Sequence, residues 1–315
     1  MSLNYDRTLA EVFAQSCKQF ANCKAFTCMG HTLTYAELDH LSGRFAAYLQ
    51  QHTQLQPGDR IAVQLPNVLQ YPVVVFGALR AGLVVVNTNP LYTPHEIKHQ
   101  LNDSGAKALI VLANIAKNAA AIIGETKVEQ VIVTELADLH SPVKRILLNF
   151  AVKYVKKLVP PFSFPQQISL NKALSLASKP WQPVPQTPAD IAVLQYTGGT
   201  TGVAKGAMLT HRNLVANMAQ LNERMKNVFR PTQEIYVAPL PLYHIYSFTI
   251  HCTSAVELGN HSLLIPNPRD IPGFVKTLQR TPFTFFVGLN TLFNALMRNP
   301  DFAGLDFSNL RLTCS

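Results

Sequence analysis

The sequence predicts an α/β protein with mostly parallel sheets and helices on both faces. Short apolar runs typical of strands alternate with segments of helical periodicity along most of the chain. One of these runs, 83–86, is continuously apolar, as expected for a strand buried on both faces. The chain has 315 residues, 48% of them hydrophobic, and this length allows about two domains and a large core.

The first 140 residues contain start signals for two helices. Thr34 and Glu37 form a capping box, and Thr93 and Glu96 repeat the pattern with Pro94 at the first helical position. A further helix is predicted at 68–81, closed by the glycine that follows it. The strands predicted between these helices are 60–65, 83–86, 108–112 and 128–133.

A connection rich in proline separates this half from a second one. Seven prolines lie between residues 160 and 188 and favour a segment that crosses the surface. Beyond it, helices are predicted at 210–225 and 244–259, and strands at 191–196, 235–238, 261–265, 283–287 and 310–313. The predicted division is therefore a first α/β subdomain (1–159), a connection (160–189) and a second α/β subdomain (190–315). We expect the second to be incomplete at its carboxyl end, because no closing helix follows the last strand.

The net charge of +9 is concentrated in one region. No Asp or Glu occurs from residue 139 to 189, whereas seven Lys and Arg residues do. Within it, 143–159 has the pattern of a basic amphipathic helix, which can lie on an anionic membrane surface. The alternative is that its apolar stripe packs on the protein's own core. A local basic feature of this kind argues against a nucleic-acid-binding protein.

Other function classes are disfavoured by simple features. The five cysteines have no zinc-ligand spacing and are too scattered for a disulfide scaffold. The amino terminus does not have the layout of a secretory signal, and the most apolar window, 61–79, is interrupted by proline and polar residues. These features predict a cytoplasmic protein, with a peripheral position on the inner face of the cell membrane as an option through 143–159.

The segment from Tyr196 to Gly206 (YTGGTTGVAKG) follows a predicted strand and combines four glycines, three threonines and one lysine. Glycines allow backbone N–H groups to turn toward an anion, the hydroxyls donate further hydrogen bonds, and the lysine adds a positive charge. This chemistry suits a polyphosphate. It is not a Walker A loop, because Lys205 is followed by glycine rather than Ser or Thr.

This segment, with its continuation to residue 213, resembles the phosphate-binding signature of the adenylate-forming (AMP-binding) superfamily. Three further segments match in order and spacing: 33–38 (LTYAEL), 79–90 and 239–246 (PLPLYHIY). The likeness covers essentially the whole chain and is greatest for bacterial long-chain fatty acid–CoA ligases. Many members of the superfamily carry Ser or Thr at the position of Gly198 and Pro at that of Ala204, and both variants fit this branch. The resemblance implies the amino-terminal domain of an adenylate-forming enzyme as the fold.

The resemblance also implies a reaction and its site. These ligases use ATP, Mg²⁺ and coenzyme A to convert a long-chain fatty acid into acyl-AMP and then a thioester. By likeness, the β- and γ-phosphates are bound at Thr197, Gly198, Gly199, Thr200, Thr201, Gly202 and Lys205. Thr200 or Thr201 lies near the metal, and His244 lies at the substrate carboxylate and gates the acyl site. Tyr246, Phe248 and the aromatic residues of 283–286 are candidates for an acyl tunnel, or else ordinary core.

Several parts of the family pattern do not occur in residues 1–315. They are the adenine-contacting segment, the Tyr-Gly-x-Thr-Glu element, the ribose-binding aspartate and the small carboxyl-terminal domain with its catalytic lysine. We therefore expect a fragment that is inactive alone. Two alternatives stay open: an enzyme that activates aryl or amino acids, and a non-catalytic protein that binds acyl groups or a membrane surface.

Overall fold

The computed structural model describes residues 5–198 and 204–314. In this part of the chain the α-helices are α1 (Leu9–Gln19), α2 (Tyr35–His52), α3 (Gln70–Arg80), α4 (Pro94–Ser104), α5 (Ala116–Ala120), α6 (Pro142–Phe150), α7 (Leu170–Leu176), α8 (His211–Met225), α9 (Ile245–Phe248), α10 (Ala255–Glu257), α11 (Ile271–Leu278), α12 (Asn290–Met297) and α13 (Pro300–Ala303). A 3₁₀ turn spans Ile123–Glu125, and π-helical segments, Ala151–Val155 and Thr249–Ser254, continue α6 and α9.

The strands are β1 (Lys24–Cys28), β2 (His31–Thr34), β3 (Arg60–Gln64), β4 (Val84–Asn87), β5 (Ala108–Leu112), β6 (Gln130–Thr134), β7 (Gln167–Ser169), β8 (Ile191–Thr197), β9 (Lys205–Thr210), β10 (Ile235–Ala238), β11 (His261–Leu264), β12 (Phe285–Val287) and β13 (Leu312–Cys314). Within the described residues they form a six-stranded sheet, β13-β12-β10-β11-β1-β2, and a seven-stranded sheet, β7-β6-β5-β3-β4-β8-β9. All pairs are parallel except β1–β2 and β8–β9. The predicted α/β class with mostly parallel sheets is confirmed.

Neither sheet is built from one predicted subdomain alone. Strands β1 and β2, from the first 34 residues, join the sheet of β10–β13. Strands β8 and β9, which follow the connection, complete the sheet of β3–β7. The connection 160–189 itself contributes β7 and α7. Each sheet thus combines segments from both sides of residues 160–189, in contrast to the division 1–159 and 190–315.

The predicted helix starts at Thr34, Thr93 and Thr210 are confirmed. Each threonine side chain accepts a hydrogen bond from the third backbone N–H of its helix, and the residue at that position bonds back to the cap. Thr8 caps α1 in the same way, although that helix was not predicted. Such reciprocal caps satisfy N–H groups that have no partner within the helix.

One buried side chain joins the two sheets beside their carboxyl ends. Asn67, three residues after β3, donates from Nδ2 to the carbonyl oxygens of Ala238 (2.8 Å) and Leu240 (2.9 Å). Its Oδ1 accepts from the backbone N–H of Leu242 at 2.8 Å. Asn67 is only 3% exposed. It therefore fixes the segment 238–242, which leads from β10 to His244.

Candidate functional site

A cavity of about 500 Å³ lies at the carboxyl ends of β4 and β8, beside α4. Parallel α/β sheets commonly bind ligands at this edge. Thr197, Gly198 and His244 all line it, so the structure brings these three predicted site residues together. The wall is completed by amide, histidine and tyrosine side chains, among them Asn87, Gln195, His99 and Tyr243.

The strand pair β8–β9 positions both ends of the glycine-threonine segment. Thr197 ends β8, Lys205 begins β9, and the two residues are paired across the antiparallel ladder. Both are exposed. The predicted phosphate-binding residues Gly199, Thr200, Thr201 and Gly202, with the metal candidates Thr200 and Thr201 among them, lie outside the described residues.

Helix α4 contacts this strand pair at two places. His99 Nε2 lies 3.0 Å from the carbonyl oxygen of Ala204, and the Tyr196 hydroxyl donates to Asp103 Oδ2 at 2.5 Å. Burial, together with the Asp103 carboxylate, raises the pKa of Tyr196. The Tyr196 ring covers Gly206, where a Cβ atom would come within 2.8 Å of it. The stems of the segment are thus attached to α4 rather than held by the hairpin alone.

His244 lies at the amino end of α9 and has a structural role there. Its Nδ1 accepts from the backbone N–H of Tyr246 at 3.3 Å. Among the described residues, Nε2 has no hydrogen-bond partner, and the side chain is exposed at the cavity wall. Capping uses one ring nitrogen and leaves the other available to a ligand.

A network of amide side chains beneath the cavity connects strand β8 to the segment 238–242 that precedes His244. The buried Tyr71 hydroxyl lies 2.7 Å from Asn87 Oδ1 and 2.9 Å from the Leu242 carbonyl oxygen. Asn87 Nδ2 donates to Gln195 Oε1 at 3.2 Å, and Gln100 Nε2 donates to the Asn87 carbonyl oxygen at 2.9 Å. His99, Gln100 and Gln195 were not predicted as site residues. Gln195 did carry a signal, since it is a polar residue within the strand predicted at 191–196.

A second, apolar cavity of about 580 Å³ begins at Tyr246. It lies between α8, the helical segment 245–250 and strands β12 and β13, and both Tyr246 and Phe285 line it. The Tyr246 hydroxyl contacts Cys314 Sγ at 3.2 Å, and burial raises the pKa of Tyr246 to about 12. Phe248, Phe283 and Phe286 instead belong to the hydrophobic core. Of the aromatic residues suggested for an acyl tunnel, only some therefore face this cavity.

Helix α6 is oriented with its apolar stripe outward. Leu147 is 64% exposed, Phe150 57% and Val155 70%. The opposite side is attached through Asn149, whose Nδ2 donates to Asp138 Oδ1 (3.2 Å) and whose Oδ1 accepts from the Ala137 N–H (2.9 Å). The interpretation in which this stripe packs on the protein's own core is therefore wrong.

The described residues contain neither a cluster of metal ligands nor a membrane-spanning helix. Within residues 5–198 and 204–314, no group of three or more His, Cys, Asp or Glu residues has an arrangement that holds a metal ion. No described helix is both long and apolar enough to span a bilayer.

Comparison with known proteins gives consistent matches along the chain. The family model for AMP-binding enzymes matches residues 13–315. The chain is 51% identical to the long-chain-fatty-acid–CoA ligase of Escherichia coli O157:H7 over 314 residues, which are 99% of this chain and 56% of that protein. For the ligase of the same name from Bacillus subtilis, the identity is 31% over 97% of this chain and 54% of that protein.

A long-chain-fatty-acid–CoA ligase from Archaeoglobus fulgidus has a similar solved structure, with a TM-score of 0.80 at 22% identity, covering 99% of this chain and 58% of that one. At this identity the likeness concerns the fold. The chain spans about half the length of the curated relatives it matches. From the match over residues 13–315, the chain belongs to the AMP-binding enzyme family.

Proposed function

We propose that this chain provides the phosphate- and acyl-binding half of a long-chain fatty acid–CoA ligase. The substrates are ATP, a long-chain fatty acid and coenzyme A. The fatty carboxylate attacks the α-phosphate of ATP, which releases pyrophosphate and gives acyl-AMP; the thiol of coenzyme A then displaces AMP. The observation that carries the proposal is the single cavity that contains Thr197, Gly198 and His244. The names of relatives that are about half identical to this chain support it.

The β- and γ-phosphates are assigned to the segment from Thr197 to Lys205, with Gly198, Gly199, Thr200, Thr201 and Gly202. Hydroxyl and backbone donors with one lysine neutralise phosphate charge without covalent chemistry. Mg²⁺ is assigned to Thr200 or Thr201, whose hydroxyl would hold it, and the ion would supply positive charge against the phosphates. Thr197 and Lys205 are paired across the β8–β9 ladder, which supports the assignment of both residues to one phosphate site.

His244 is assigned to the fatty carboxylate. Its free Nε2 can donate a hydrogen bond to a carboxylate oxygen, while the capping bond at Nδ1 fixes the ring. The apolar cavity that begins two residues later, at Tyr246, is assigned to the acyl chain. The head and the tail of the substrate would then bind at His244 and Tyr246, two residues apart at the start of one helix.

The test uses this chain joined to the remaining carboxyl-terminal part of the E. coli O157:H7 ligase. We expect palmitate-dependent exchange of pyrophosphate into ATP and formation of palmitoyl-CoA. We expect little activity with 4-coumarate or an amino acid, because the apolar cavity has few polar groups to bind them. A higher kcat/KM for an aryl or amino acid would reject the proposal in favour of another adenylate-forming enzyme.

His244→Ala should lower kcat/KM for palmitate by about 10²-fold, the scale for losing one oriented donor.

We also assign 143–159 to contact with an anionic membrane surface. The outward apolar stripe gives area to bury in the interface, and the exposed Lys144, Lys156 and Lys157 each favour anionic lipid by about 1 kcal/mol. Co-sedimentation with phosphatidylglycerol vesicles tests this. The double variant Leu147→Asn, Val155→Asn should lose most of the binding. Met297→Asn, which alters an equally exposed residue elsewhere, should retain it. Equal binding by all three proteins would reject the membrane assignment.

A further inference from the structure

A third cavity, of about 610 Å³, lies beneath helix α6. It opens at the carboxyl ends of β5, β6 and β7, as shown by the lining residues Ala113, Glu135 and Ser169, each at or directly after the end of one strand. Ligands of parallel α/β sheets bind at this edge. It shares no lining residue with the cavities at His244 and Tyr246.

This cavity is lined by charges of both signs, contributed by two different elements. Arg145 and Lys153 come from the helical side, and Glu135 and Asp138 come from the end of β6. Among the described residues, no ion pair within 4.0 Å joins these cations to these carboxylates. The charges therefore line one cavity without forming a direct ion pair, although Lys153 still acts to lower the pKa of Glu135.

The two carboxylates are not equivalent. Asp138 accepts hydrogen bonds from Thr134 Oγ1 (2.9 Å), the Glu135 N–H (2.8 Å) and Asn149 Nδ2 (3.2 Å), so its oxygens are already occupied. Glu135 has no comparable set. Burial and the neighbouring Asp138 raise the pKa of Glu135, and Lys153 and Asn149 offset this only in part. Glu135 is thus the carboxylate that a bound cation would stabilise.

The remaining lining includes polar side chains, such as Asn149 and Asn171, and a larger number of apolar and aromatic ones. Ile146, Phe150 and Tyr154 line the cavity and also belong to the exposed stripe of the helix, and Phe162 lies in the lining as well. The cavity is therefore continuous with the surface assigned above to the membrane. An occupant that carries a positive charge, a negative charge and hydrocarbon can interact favourably with the charged and the apolar lining residues alike.

We propose that this cavity binds the zwitterionic headgroup of an ethanolamine phospholipid. The phosphate contacts Arg145 and Lys153, the primary ammonium donates hydrogen bonds to Glu135, and the first carbons of the acyl chains contact Phe150. A purely anionic lipid or a free fatty acid leaves Glu135 facing negative charge, and a simple cation leaves Arg145 and Lys153 unpaired. A choline headgroup has no N–H to donate, so Glu135 discriminates against it. The orientation of the lipid rests on the proposed membrane contact of 143–159.

The experiment compares vesicle binding and binding of a soluble headgroup. Sedimentation is measured with phosphatidylcholine vesicles, with and without phosphatidylethanolamine, at one fixed salt concentration. We expect added ethanolamine lipid to raise the partition coefficient of the wild-type chain on the order of tenfold, the effect of one charge-assisted hydrogen bond. Glu135→Gln and Arg145→Gln should abolish this increase. The matched controls Glu129→Gln and Lys127→Gln change exposed residues outside both the cavity and 143–159, and should keep it.

The soluble probe is glycerophosphoethanolamine, titrated while the side-chain amide signals of Asn149 and Asn171 are followed by NMR. Saturable shifts that disappear in Glu135→Gln support the proposal. If the shifts occur but the chain does not bind vesicles, the cavity binds a soluble zwitterion rather than a membrane lipid. The membrane assignment then fails. If phosphatidylglycerol vesicles bind but neither ethanolamine lipid nor the probe has an effect, the membrane assignment stands and this proposal is overturned. Persistence of the ethanolamine effect in both cavity variants also overturns it.

Discussion

His99 Nε2 lies 3.0 Å from the carbonyl oxygen of Ala204, so helix α4 contacts the carboxyl-terminal stem of the glycine-threonine segment. In the family pattern this position often carries proline, which restricts the backbone by its ring. Here the carbonyl is bonded to a side chain from another element. The contact offers a different means of fixing the carboxyl-terminal stem of the segment.

Replacing His99 should therefore weaken nucleotide binding. A net hydrogen bond contributes about 0.5–1.5 kcal/mol, so we expect His99→Leu to raise the KM for ATP in the joined ligase by up to about tenfold. The kcat at saturating ATP should change less. Asn102→Leu, one turn along α4, removes a bond to Glu125 instead and is the control. An unchanged KM, with an unchanged ¹⁵N shift of the Lys205 amide, would contradict the role of His99.

Asn67 should matter for stability because it joins the two sheets. Asn67→Ala leaves the Leu242 N–H and the Ala238 and Leu240 carbonyl oxygens without this partner in a buried region. Each unsatisfied buried group costs about 1–3 kcal/mol, and we expect a total loss of about 2–4 kcal/mol after partial relaxation. Urea unfolding measures it. Asn118→Ala, which removes one exposed bond to Tyr92, should cost less than about 1 kcal/mol. Equal losses in the two variants would refute the bridging role.

Gly198 and Gly206, the two glycines of the segment 196–206 that the structure describes, should respond differently to substitution by alanine. A Cβ at Gly206 would lie 2.8 Å from the Tyr196 ring, whereas a Cβ at Gly198 meets no atom of the described residues within 4 Å. Overpacking typically costs about 1–3 kcal/mol, so Gly206→Ala should lower the unfolding free energy by that amount. Gly198→Ala should leave it unchanged or slightly raised, because it restricts the unfolded chain. The outcome against this interpretation is a Gly198→Ala variant as unstable as Gly206→Ala.

Local signals predicted the elements better than their partners. Strands 235–238 and 108–112 and the capped helix starts follow from runs and caps within a few residues. The placement of β1 and β2 beside β11 depends on a contact across more than 200 residues, for which a single sequence has no local signal. The same holds for His99 and Ala204, since a histidine on an amphipathic helix looks like any solvated polar residue.

The orientation of α6 shows a second limit of pattern analysis. Periodicity established that Leu147 and Phe150 share one face, but not which way that face points. Burial of apolar area alone would favour an orientation in which this face points toward the core. The bonds of Asn149 to Asp138 and Ala137 attach the other side instead, and these depend on a loop after β6 that periodicity does not describe.

Buried histidines should make the fold sensitive to acid. His211 Nδ1 accepts from the Leu9 N–H at 3.1 Å, and burial lowers the pKa of His211 to about 4, against a smaller opposing effect of Asp190 and Glu11. Burial also lowers the pKa of His261 to about 4 and of His251 to about 3. Below about pH 6.5 the unfolded chain binds protons that the folded chain does not, so the unfolding free energy should fall as the pH falls toward 4.

The contribution of His211 can be isolated from the slope of the unfolding free energy against pH. Each histidine that titrates only in the unfolded state contributes up to about 1.4 kcal/mol per pH unit. His211→Asn keeps an acceptor for the Leu9 N–H but does not titrate, so between pH 6 and 4.5, roughly the window these pKa values define, its slope should be smaller by about that amount. The comparison of slopes is insensitive to a constant loss of stability from the smaller side chain. His40→Asn, at an exposed position on α2, should retain the wild-type slope, and equal slopes in all three proteins would mean that His211 is already protonated in the folded state.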